Sequence, residues 1–131
     1  MQISGDESSK KKIVLVEDDS FLAGMYVSKL NLENFEVKLA ENGEDGLKTA
    51  TDEMPDLILL DILLPRMDGF EVLKKLKKNP ATADIPVILL TNLGQKKDVD
   101  RGMALGAVDY LIKAHFMPNE VIAKIKKILK V

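Results

Sequence analysis

Short apolar runs alternate along this chain with stretches in which apolar residues return every three or four positions. Ile13–Val16, Leu57–Leu60 and Val87–Leu90 are continuous apolar runs without alternation. Such runs suit strands buried on both faces of a parallel sheet. Phe35, Val37 and Leu39 instead alternate with Glu36 and Lys38, which predicts an edge strand, and Tyr110–Ile112 predicts a fifth strand. Between the strands, Leu47, Ala50 and Met54 recur at helical spacing, as do Val72, Leu73 and Leu76. The last helix is cleanest: Val121, Ile122, Ile125, Ile128 and Leu129 form one apolar stripe, with Lys124, Lys126, Lys127 and Lys130 off it. Asp68 followed by Glu71 makes a capping-box start for the third helix, and Pro118 stands where a first-turn proline belongs.

The pattern is therefore strand then helix, repeated five times. Five units are too few for an eight-fold barrel, which leaves an open, doubly wound α/β sheet. Right-handed crossovers place helices on both faces, giving three layers. Because the alternating strand is the second, the parallel five-stranded sheet is expected in the order 2-1-3-4-5, a flavodoxin-like (βα)5 fold.

At 131 residues the chain is sized for one domain. Residues 1–11 read as a polar, flexible tail and 12–131 as the folded unit. The absence of cysteine removes disulfides and thiolate chemistry, and a lone His115 rules out a histidine metal cluster within the chain. A net charge of −2 argues against nucleic acid as a direct partner. No apolar run approaches the ~20 residues of a membrane span, and the N-terminus lacks an apolar signal region, so a cytoplasmic protein without membrane contact is expected.

Open α/β sheets bind ligands beyond the carboxyl ends of their strands. Strand one ends in Glu17, Asp18 and Asp19, strand three in Asp61, strand four in Thr91 and strand five in Lys113. Each has an ordinary structural reading as well. Asp18 and Asp19 suit a helix cap, Glu17 a solvated strand end, Thr91 a cap or strand terminus, and Lys113 a lysine reaching for solvent. Asp61 fits no such reading, because it interrupts an apolar run and Asp68 takes the capping role downstream. Three carboxylates converging against one ammonium either raise their pKa values or hold a divalent cation. With oxygen donors alone, that cation is a hard one, Mg²⁺ or Mn²⁺ in its place. A carboxylate beside such an ion, with a hydroxyl and an ammonium in reach, can accept a phosphoryl group.

Competing motifs are missing. VEDDSFLAG stands where a GxGxxG or GxxxxGK[ST] loop would follow strand one, and Asp61-Ile62-Leu63 lacks the second acid of a haloacid-dehalogenase nucleophile. Gly102 and Gly106 read as helix-end punctuation, and His115 as a loop residue.

Four segments in order (IVLVEDD, PDLILLDILLPRMDGFEVL, IPVILLT and GAVDYLIK) resemble the receiver domain of two-component response regulators across residues 12 to 130. The resemblance implies a phosphorelay signalling switch, not a metabolic enzyme, whose own chemistry is limited to its phosphorylation and dephosphorylation. Asp61 would be the phosphoacceptor, served by a sensor histidine kinase or phosphotransfer protein. Mg²⁺ would be held by Asp18, Asp61 and the main-chain carbonyl of Leu63, with Glu17 acting through water. Thr91 and Lys113 would bind the phosphate, and Tyr110 would be the aromatic switch. The face of the fourth helix, fifth strand and fifth helix would be read by a downstream target or output domain, as a monomer or a phosphorylation-dependent dimer.

Two positions depart from the family pattern. Ala114 stands where proline usually follows the lysine, and a non-proline cis bond costs ~3–4 kcal/mol. Asn92 replaces a small residue after the hydroxyl. Two other readings use the same residues: an interaction module of this fold that works without phosphate, and a phosphatase or phosphotransferase acting on small molecules.

Overall fold

Strands β1 (Lys12–Val16), β2 (Glu36–Ala40), β3 (Leu57–Asp61), β4 (Val87–Thr91) and β5 (Asp109–Ile112) alternate along the chain with helices. These are α1 (Ser20–Leu32), α2 (Gly43–Glu53), α3 (Gly69–Lys78), α4 (Lys96–Ala104) and α5 (Pro118–Leu129). The computed structural model describes residues 10–92, 96–113 and 117–131. Most of the expected tail, together with Leu93, Ala114 and His115, lies outside the described residues. All strand pairs are parallel, in the order β2-β1-β3-β4-β5. The expected order and edge position of the second strand are both found.

Strand periodicity sorts the core into two halves. Val14, Val16, Ile58, Leu60, Val87 and Leu89 point to one face, where α2 and α3 cover them through Ala50, Phe70, Val72, Leu73 and Leu76. Ile13, Leu15, Leu57, Leu59, Ile88 and Leu90 point to the other, covered by Ala23, Tyr26 and Leu30 of α1 and by Val121, Ile122 and Ile125 of α5. Each fully buried aliphatic side chain is worth about 1.5–3 kcal/mol, which is why the continuous runs must be sandwiched. Among the described residues, no helix is long and apolar enough to cross a membrane.

Helix starts follow the expected chemistry. The Asp68 side chain accepts the Glu71 N–H at 3.0 Å, and that of Asp19 accepts the Leu22 N–H at 3.0 Å. Pro118 opens α5. One expectation is corrected. Gly102 is not helix-end punctuation but lies inside α4, where a Cβ would fall on the Leu89 side chain, so it permits α4 to sit close on β4. Gly106 does follow the helix end, with a φ of 113° that glycine adopts freely.

Candidate functional site

The register carries the candidate residues to one edge of the sheet. Val16 is level with Leu60, so Glu17 leaves β1 beside Asp61, the last residue of β3. Thr91 ends β4 opposite Ile112, and Lys113 follows directly. Glu17, Asp61 and Thr91 are buried polar residues in a largely apolar interior.

Glu17, Asp18 and Asp61 each offer a carboxylate oxygen within 4.8 Å of the others. Asp18 is exposed and the other two are buried. Lys113 spans the buried pair: its Nζ donates to Asp61 Oδ2 at 2.8 Å and to Glu17 Oε2 at 3.3 Å. The lysine therefore turns inward, and the solvent-seeking reading does not hold. The Leu63 N–H donates to Asp61 Oδ1 at 3.1 Å, and the Asp19 N–H donates to Glu17 Oε2 at 3.0 Å. Glu17 Oε1 lies 3.2 Å from Lys113 Nζ, inside ion-pair distance, yet in no hydrogen-bond geometry.

Burial disfavours the charged form of Glu17 most strongly. The neighbouring Asp61 adds to this, against the Asp19 N–H and Lys113, and the carboxyl is pushed up to about 7. Burial alone would lower the Lys113 ammonium, but its hydrogen bond to Asp61 and the charges of both carboxylates outweigh that and hold it above the ordinary lysine value. The donor set fits a hard cation: oxygen donors of three carboxylates, one of whose buried oxygens lacks a hydrogen bond, with neither nitrogen nor sulfur ligands among the described residues.

Beside Asp61 opens a cavity of about 240 Å³, lined by Asp61, Ile62, Leu63, Thr91, Asn92 and Asp98. Leu63 is 63% exposed at its rim. The position of Asp61 depends on Gly69: a side chain there would fall on the Asp61 carbonyl oxygen and the Ile62 backbone, and the Gly69 N–H donates to the Ile62 carbonyl at 2.7 Å. Tyr110 is not brought to the carboxylates. It is exposed on the edge strand β5 and lines a separate cavity with Asp109, Glu120 and Lys124. Asp98 and Gly69 escaped sequence reasoning. The Asp-Gly step before α3 is a signal for the second; nothing local marks the first.

The family model for the response regulator receiver domain matches residues 13–126. The chain belongs to this family. As a receiver domain it is 38% identical over 119 residues to the DNA-binding dual master transcriptional regulator RpaA of Synechocystis, covering 91% of this chain and 49% of that protein. It is 39% identical over 120 residues to the alkaline phosphatase synthesis transcriptional regulatory protein PhoP of Bacillus subtilis, covering 92% and 49%. The receiver domain thus spans about half the length of the curated relatives it matches. A crystal structure of a response regulator from Chloroflexus aurantiacus is 32% identical, with a TM-score of 0.89, and is covered over its full length by 94% of this chain.

Proposed function

We propose that this receiver domain is a phosphoaspartate switch, with Asp61 as the phosphoacceptor. One observation carries the reading: Asp61 is buried at a strand end, with one carboxylate oxygen held by Lys113 and two further carboxylates close by. That environment costs energy and has no packing purpose. Asp18 and Asp61, the Leu63 carbonyl, and Glu17 through water would hold Mg²⁺, or Mn²⁺ in its place. When bound, the ion supplies positive charge to the oxygens of the transferring group.

The chain's own residues do the rest. Lys113 fixes the Asp61 carboxylate by one oxygen, and the Leu63 N–H fixes it by the other. Thr91 lines the same cavity, and its hydroxyl, which donates to the Asn92 carbonyl at 3.4 Å, would turn to a phosphoryl oxygen. A phosphoryl group brings charge and three acceptor oxygens, and these bias α4, β5 and Tyr110 between two packings. The partners in this reading are a sensor histidine kinase or phosphotransfer protein as donor, and a downstream target or output domain on the α4–β5–α5 face. The setting is the cytoplasm, the domain acting as a monomer or a phosphorylation-dependent dimer. Loss of the phosphoryl group by the domain's own catalysis belongs to the same proposal.

Mass spectrometry after incubation with acetyl phosphate and Mg²⁺ tests it. One added phosphoryl group in the parent and none in Asp61→Asn is the expected outcome. No addition to the parent, with the fold intact, favours the phosphate-independent interaction module instead. Multiple turnover of a generic phosphate ester that depends on Asp61 favours a small-molecule phosphatase.

A further inference from the structure

We propose that Asp98 is a charge filter for the phosphodonor, set against free, doubly charged phosphate donors. This rests on Asp61 being the phosphoacceptor. Asp98 stands in the first turn of α4 and lines the cavity beside Asp61 together with Thr91 and Asn92. It makes no ion pair among the described residues. The cations of its own helix are turned elsewhere or exposed: Lys96 pairs with Asp100 at 2.9 Å, Lys97 is exposed, and Arg101 lies 4.2 Å from the centroid of the Phe70 ring. Lys113 reaches Asp61 and Glu17 from the opposite side, next to the acceptor carboxylate where it can meet the transferred group, and it does not line this cavity. A donor entering the cavity therefore meets Asp98 with no cation on that wall among the described residues.

Coulomb repulsion scales with the entering charge, so the penalty is larger for a dianion than for a monoanion. In the transfer an Asp61 carboxylate oxygen forms a bond to phosphorus. With acetyl phosphate, the bond from phosphorus to the acetate oxygen breaks and its electron pair leaves with acetate. With phosphoramidate, the phosphorus–nitrogen bond breaks and the nitrogen, already protonated, leaves as ammonia. Acetyl phosphate carries two negative charges near neutral pH and phosphoramidate one net charge, so the pair measures the filter. A helix start also favours an acid in its first turn, and a purely helical role for Asp98 would not distinguish the donors.

The test compares phosphorylation rates of the parent, Asp98→Asn, Asp98→Ser and the charge-matched control Asp100→Asn, all with Mg²⁺. Both Asp98 variants are expected to accept from acetyl phosphate about threefold faster than the parent, with a smaller gain from phosphoramidate. Added salt should narrow the gap between parent and variants by screening the repulsion. Asp100→Asn should match the parent with both donors. Equal gains with the two donors, no gain, or the same gain from Asp100→Asn would overturn the filter. If no chain takes up phosphoryl from either donor, the phosphoacceptor reading falls, and the filter with it.

Discussion

Replacing Glu17 by glutamine should remove a pH-dependent penalty that the fold carries in the absence of metal. The carboxyl is pushed from an ordinary 4.5 to about 7 by burial and by its proximity to Asp61. A raised acid means that, between those two values, the folded chain binds more protons than the unfolded chain. Stability therefore falls as pH rises through this window. Integrated between pH 5 and pH 8, a shift of this size amounts to about 2–3 kcal/mol. Lys113 does not intrude, because its raised pKa acts only above the ordinary lysine value. Glutamine keeps an oxygen for the Asp19 N–H and loses the charge. Urea unfolding in chelator at pH 5 and pH 8 measures the effect. The variant should gain about 2–3 kcal/mol on the parent between the two pH values. At pH 8, Mg²⁺ should close part of that gap by binding the folded parent. A difference between parent and variant that is the same at both pH values would refute the reasoning, since it would mean that Glu17 is ionised at no unusual cost.

Other expectations are more direct. Asp18→Asn removes an exposed carboxylate from the cluster, so Mg²⁺-dependent phosphorylation should be lost while thermal stability in chelator changes little, as mass spectrometry and calorimetry will show. Gly69→Ala should destabilise by about 3 kcal/mol or more by thermal or urea unfolding, because its Cβ falls on backbone that cannot yield. Leu63 is apolar at the cavity rim and cannot hold an in-line water by hydrogen bonding. Leu63→Asn should therefore shorten the life of the phosphoryl group; phosphate release from the phosphorylated domain measures this, and an unchanged rate would mean that Leu63 does not control water.

Much of the fold was legible because a parallel sheet writes its strands as unbroken apolar runs. Asp61 stood out for the same reason, as a charge in such a run. Lys113 was ambiguous: a lysine at a strand end reads identically whether it points to solvent or to a buried carboxylate, and only the placement of β1 and β3 beside it decides. Asp98 was invisible, since an acid in a first helical turn is ordinary and its nearness to Asp61 arises from the way α4 packs on β4. Gly102 misled because a glycine near a helix end looks like a terminator, whereas here its missing side chain is filled by Leu89 from across the layer.

The contact between Gly69 and the Asp61 carbonyl makes two positions into one heritable trait. A lineage that acquires any side chain at 69 displaces the backbone bearing the carboxylate, so the acid survives in the gene while its placement is lost. Sequence drift can thus silence such a site without touching any residue that carries chemistry. A graft of this carboxylate onto another open sheet has to carry the bare helix start along with it.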